Sequence, residues 1–294
     1  MTHERDIVEA RRYLSRIRVW PKARNLHVEA WVENFEHGID REVAHALLDS
    51  FVFINDDHRI AALSSTIRSL STRPEFGDAS ARVEAWERFL GEAIASIPLS
   101  FAGDGAASGY QYLRTARALG FARCIDSERL IHELLSAKTL RPIVFLDDIS
   151  GTGGQFIANW ERVYSTQAGR SSLRKLAAEQ RLGAVYFVPI VATELAKAQI
   201  EARTEAVVHP AYLLGEDYSA NSPDTRLVPD SLREHLIEVA TRHAPSTGLD
   251  ADGPLGYKAQ GLAVSFQDKA PNNTLPILQP ARPSPTWKPL ISDD

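Results

Sequence analysis

The chain has 294 residues, with 33 Lys and Arg against 38 Asp and Glu, so its net charge is −5. That mild acidity excludes a general nucleic-acid coat, though a local basic patch stays open. Cys124 is the only cysteine, which excludes an internal disulfide and a cysteine-built zinc site. No apolar run reaches the length of a membrane span, and the polar start MTHERDIVEARR holds no signal-peptide core. We therefore expect a cytoplasmic protein with no membrane partner.

The first hundred residues read as helical. Ile7, Val8, Leu14 and Ile17 stripe a segment that Pro21 ends. Asp40 stands as an N-cap before Val43, Leu47, Leu48 and Phe51. Ile60, Leu63, Ile67 and Leu70 repeat the helical spacing, and Val83, Trp86, Leu90, Ile94 and Ile97 extend it to Pro98. From residue 99 short apolar runs alternate with helical patterns. Strands are expected at 99–102, weakly at 121–125, at Ile143–Leu146, at 184–191 and at 206–213, with helices between them. This alternation implies an α/β fold with a mainly parallel sheet of about five strands and helices on both faces. Residues 215–230 read as an exposed loop, 231–243 as a helix and 261–266 as a late strand able to join the sheet. The expected organisation is a helical region over 1–98, an α/β core over 99–275 and a Pro-rich extended tail over 276–294. Trp287 and Leu290 would hold that tail, or it would be disordered.

The sharpest chemistry lies in Ile143–Gln155, IVFLDDISGTGGQ. Four apolar residues form a buried strand, and two carboxylates, Asp147 and Asp148, end it where open α/β sheets bind ligands. Ser150, Gly151, Thr152, Gly153, Gly154 and Gln155 then lead into a helix, whose loop amides and positive N-terminal end suit a phosphate. Carboxylates repel phosphate, so the acids should face ribose hydroxyls or a cation. The pattern is that of a ribose-5-phosphate site. Upstream, Gly103, Asp104, Gly105, Ser108 and Gly109 form a second glycine loop before a helix. Its spacing is one residue too long for a dinucleotide fingerprint. No GxxxxGK[ST], HExxH or Gly-x-Ser-x-Gly occurs. Arg11, Arg12, Arg16 and Arg18 read as a solvated helix face more readily than as a nucleic-acid or partner contact.

Residues 143–155 resemble the phosphoribosyl-diphosphate loop of type I phosphoribosyltransferases, with Gln155 in place of the terminal Thr. Trp31–Phe35, Ala46–Phe51, Gly256-Tyr257, Pro271–Ile277, Trp287 and Pro289-Leu290 extend the likeness to the phosphoribosyltransferase-like proteins of bacterial conflict and anti-phage systems, PRTase-CE. This resemblance implies an enzyme that binds phosphoribosyl diphosphate or a related nucleotide with Mg²⁺, the metal being held through the ligand. Asp147 and Asp148 would be catalytic, Ser150–Gln155 would hold the 5′-phosphate, and Gly103–Gly109 would face the diphosphate. The helical N-terminus and the Asn-Asn loop would form a hood, with Asn272 and Asn273 reading a base. A defence-system protein or nucleoprotein complex is the implied partner. One departure stands out: residues 120–142 leave no room for the long flexible loop typical of these enzymes. A non-catalytic nucleotide sensor, and an interaction module with structural glycine loops, remain the alternatives.

Overall fold

The structure is a computed structural model. It describes residues 2–20, 26–35, 38–98, 106–248, 253–267, 270–280 and 284–291, with side chains omitted at 2–6 and 106–108. In chain order the elements open with α1 (Thr2–Arg16), α2 (Val28–Val32), α3 (Ile39–Ser50), β1 (Val52–Ile54), α4 (Asp56–Ser69) and α5 (Arg82–Glu92). Then come β2 (Ile94–Ile97), α6 (Ala106–Ala118), β3 (Arg123–Asp126), α7 (Ser127–Ser136), β4 (Ile143–Ser150) and α8 (Gly154–Glu161). β5 (Tyr164–Thr166), β6 (Gly169–Ser171), α9 (Leu173–Ala178), β7 (Val185–Thr193) and α10 (Glu194–Arg203) follow. β8 (Ala206–Val208), β9 (Tyr212–Leu214), α11 (Arg233–His243) and β10 (Val264–Phe266) complete the series. Among the described residues no helix is long and apolar enough to cross a membrane.

Two compact units emerge, one from 59–214 and one from 1–58 together with 215–294. Compactness thus divides the chain at 58/59 and 214/215, whereas texture suggested 98/99 and 275/276.

The 59–214 unit holds a six-stranded parallel sheet in the order β3-β2-β4-β7-β8, with β9 also paired to β7. β7 is buried at all nine positions, as a central parallel strand must be. Pro189 lies in it without breaking the ladder. Its carbonyl accepts from Ala211 N, so its missing N–H faces the same side. That side is the break where β8 has ended and β9 has not begun. One face of the sheet carries Phe187, stacked on Phe156 of α8, and Phe145, edge-on to the same ring, with Leu130, Ile131 and Leu134 of α7 in the same cluster. Side-chain caps start the helices: Asp126 accepts from Arg129 N, Ser172 from Lys175 N and Thr193 from Ala196 N.

Three expectations are corrected. The first strand of this sheet is Ile94–Ile97, which the helical spacing of Leu90, Ile94 and Ile97 had absorbed into the preceding helix. The anticipated strand at 99–102 lies outside the described residues. The expected strand over 206–213 is two strands, broken at His209-Pro210. The late strand does not join the main sheet: β10 pairs in parallel with β1, Val52 opposite Val264, inside the other unit.

That unit is built around Trp31, Phe35, Leu47, Leu48, Leu236, Leu275 and Trp287. The tail from 276 is part of its core, since Trp287 packs edge-on against Phe35 at 5.4 Å and Leu290 is fully buried. His27 N donates to Leu290 O, and Trp31 Nε1 donates to Ile277 O at 2.5 Å. Asp40 does not cap α3. It lies buried in the first turn, accepting from Arg242 Nη1 at 2.5 Å and lying 2.9 Å from His243 Nε2. Burial alone would raise its carboxyl, but the hydrogen bonds from His243 and Arg242 and their charges outweigh that and hold it below the usual range.

Candidate active site

Strands of the main sheet run 2-1-3-4-5 when counted in chain order, so the topological switch lies between β2 and β4. At such a switch the connections leave to opposite faces and a crevice opens at the carboxyl ends. β4 is twice as long as its apolar run, and Asp147 and Asp148 extend it as strand residues opposite the Pro189 region of β7. Asp148 is buried to 6% exposure while Asp147 is half-buried. Each is oriented by the next amide: Asp148 N donates to Asp147 Oδ1 at 2.9 Å, and Ile149 N donates to Asp148 Oδ1 at 2.8 Å.

The turn that follows is short. Gly151, Thr152 and Gly153 connect β4 to α8, with Thr152 Oγ1 accepting from Gly154 N at 3.3 Å. Gly153 is the N-cap at φ +73°, a left-handed conformation that favours glycine. A Cβ there would lie 2.9 Å from Ile200 Cγ1 and 3.1 Å from the Ala196 carbonyl. This glycine therefore serves the close packing of α10 under the turn, whatever it also does for a ligand. Gly109 is similar: a Cβ would meet Ile97 Cδ1 at 2.7 Å, so α6 sits tightly on the last residue of β2. Gly103, Asp104 and Gly105, and the side chain of Ser108, lie outside the described residues.

Composition-based reading missed Thr193. Its hydroxyl donates to Gly151 O at 2.6 Å and accepts from Ala196 N at 3.0 Å. One side chain thus caps α10 and pins the turn that ends the acid strand. Its partner lies 42 positions away, which no local pattern could show. Ser150 is buried, Thr152 and Gly154 are half-buried, and Gln155 is exposed. So Asp147 to Gln155 form one strand–turn–helix at the switch point, as the motif implied. Asn272 and Asn273 belong to the other compact unit. Asn273 is buried and donates through Nδ2 to Gln260 Oε1 at 2.7 Å, while Asn272 is exposed.

No group of three or more His, Cys, Asp or Glu able to hold a metal occurs among the described residues. Mg²⁺ typically keeps several waters and binds through one or two carboxylates plus ligand phosphates. The acid pair fits that mode and no all-protein cage.

A doubly wound parallel sheet, an acid pair ending its third strand and a glycine turn into a helix define a phosphoribosyltransferase-like α/β protein. The PRTase-CE family model matches residues 28–292, and the chain belongs to that family. No curated protein matches it.

Proposed function

We propose that the chain binds phosphoribosyl diphosphate, or a related ribose-5-phosphate ligand, at the turn after β4 and transfers the phosphoribosyl group to a base or nucleotide acceptor. The observation that carries this reading is the placement of Asp147 and Asp148 at the carboxyl end of β4, beside the switch point. The amides of Ser150–Gln155 and the N-terminal end of α8 would hold the 5′-phosphate. The two carboxylates would accept hydrogen bonds from the ribose hydroxyls and stabilise positive charge developing at the anomeric carbon. Mg²⁺, if carried in by the ligand, would neutralise the diphosphate, with Asp147 or Asp148 as its protein contact. By the family resemblance, Gly103–Gly109 would face the diphosphate, and Asn272 and Asn273 would read the base. The family resemblance further supports a cytoplasmic role as a defence effector acting with a partner protein or nucleoprotein.

A sensor that binds without transferring is the second reading, and one observation favours it. Residues 123–136 are filled by β3 and α7, where related enzymes carry the mobile loop that shields the reaction from water. Titration with phosphoribosyl diphosphate and Mg²⁺ tests both readings. Ligand at a hundredfold excess over Kd should stabilise the native state by about 2.7 kcal/mol, and Asp147→Asn with Asp148→Asn should abolish the shift while keeping the unliganded melting temperature. Pyrophosphate release in the presence of an acceptor then separates enzyme from sensor. An unchanged shift in the double variant overturns the site, and loss of phage protection in cells carrying it would support the defence role.

A further inference from the structure

The turn between β4 and α8 is anchored on one neighbour. Thr193, the last residue of β7, is buried, and its hydroxyl donates to Gly151 O at 2.6 Å and accepts from Ala196 N at 3.0 Å. Two residues after Gly151, Gly153 packs on α10, so close to Ile200 and the Ala196 carbonyl that a Cβ would not fit. Both ends of the turn are therefore held by the corner where β7 becomes α10. Gly151 and Gly153 are buried there, while Thr152 between them is half-buried.

A trans peptide points its carbonyl and its N–H in opposite directions, and no cis peptide occurs among the described residues. With the Gly151 carbonyl turned to Thr193, the Thr152 N–H of the same peptide points away from it. In the sheet, β4 has β7 on one side and β2 on the other, and the switch crevice opens on the β2 side. The Thr193 hydroxyl thus aims one amide of the turn to the side where a ligand would lie. The turn's own dihedrals do not enforce that choice, because two of its three residues are glycine, the most permissive residue. A turn left to fluctuate would be ordered only on binding, at a cost in affinity.

We infer that Thr193 is a positioning residue that presets the Thr152 amide as a donor to a phosphate monoester, without touching the ligand itself. The inference rests on the ribose-5-phosphate reading above and adds a residue from another strand, 42 positions beyond Gly151. Its signature is selective. A ligand whose phosphate sits in this turn depends on the preset amide. Pyrophosphate, which the resemblance assigns to the Gly103–Gly109 loop, does not.

The test is calorimetric titration of the full chain with ribose 5-phosphate and, separately, with Mg²⁺-pyrophosphate. Thr193→Val keeps the shape and removes the hydroxyl, and Thr193→Ser keeps a hydroxyl. Because that hydroxyl also caps α10, Ser172→Ala is the control: it removes the cap of α9, where Ser172 Oγ accepts from Lys175 N, and leaves the turn alone. Thr193→Val should weaken ribose 5-phosphate by about tenfold, the loss of one hydrogen bond to a charged group, and leave Mg²⁺-pyrophosphate within about twofold. Thr193→Ser should bind like the wild type, and Ser172→Ala should lower the melting temperature with both affinities kept. Unchanged ribose 5-phosphate binding in Thr193→Val overturns the positioning role and leaves the site reading standing. Equal weakening of both ligands, or a loss that Ser172→Ala reproduces, overturns it too. A measurement on the wild type covers the case in which Thr193→Val does not fold: the Thr152 amide resonance should move on adding ribose 5-phosphate and not on adding Mg²⁺-pyrophosphate, and a resonance that ribose 5-phosphate leaves in place overturns the inference. If the wild-type chain binds no ribose 5-phosphate, the site reading falls first and this inference falls with it.

Discussion

At the scale of single residues, several side chains do work that their sequence neighbourhood does not announce. Asp40 sits where an N-cap belongs, yet its carboxylate is buried against Arg242 and His243, about 200 positions away. Its pKa in the folded protein lies below the unfolded value of about 3.9. The stability it contributes is therefore complete above that value and is lost as pH falls through the folded pKa. Asp40→Asn should destabilise the chain by about 3 kcal/mol at pH 7, because it removes the buried carboxylate that Arg242 pairs with. The difference from wild type should shrink below about pH 4, and urea denaturation at pH 7 and pH 3 measures both. Gly153 makes a parallel point. Read along the chain it belongs to a phosphate loop; in the fold its positive φ and its closeness to Ile200 and Ala196 are enough to require it. Gly153→Ala should cost about 2 kcal/mol, roughly a 4–8 °C fall in Tm for a unit of this size, in ligand-free protein. A variant that kept its Tm would mean that the turn relaxes without strain.

At the scale of elements, what could be read depended on which interactions define each one. β4 and β7 are long, apolar and bounded by clear signals, and both were identified, as was the acid pair at the end of β4. Helices α7 and α10 carry their own side-chain caps and lie between strands, as the alternation implies. β2 was missed for a physical reason. It has four residues buried on both faces, so it shows no alternation, and Ile94 and Ile97 stand three apart as on a helix. The hairpin β5–β6 and the pair β1–β10 have three residues per strand, too few for any period. The β1–β10 pair also joins segments some 210 residues apart, which no local pattern can foretell. The strand–turn–helix of the candidate site was legible to the extent that it is local. Asp147 to Gln155 are contiguous, whereas Thr193 reaches the turn from 42 positions away.

At the scale of the whole molecule, the two compact units differ in how the chain supplies them. One is a continuous run, and the other is assembled from both ends. The proline-containing tail is thereby a structural component, with Trp287 against Phe35 and His243 and Leu290 under the strand of backbone at His27. Trp287→Ala should cost about 3–5 kcal/mol, the usual range for emptying a large aromatic from a core. Chemical denaturation followed by the fluorescence of the remaining tryptophans would show it, and a loss below 1 kcal/mol would mean that the tail is dispensable.

This arrangement dictates an order of events on the ribosome. Residues 59–214 are complete before any of 215–294 has been made. The early segment bearing Trp31, Phe35, Leu47 and Leu48 must wait for partners such as Leu236, Leu275 and Trp287. At about 5–20 residues per second, the intervening stretch alone takes roughly 10–30 s to synthesise. During that interval the nascent chain carries an uncovered apolar segment beside a unit already able to fold. Stalled nascent chains should therefore become protease-resistant in two steps, the middle of the protein first and its beginning last. A cell that makes this protein quickly has to shelter the segment from Trp31 to Phe51 until Trp287 and Leu290 arrive.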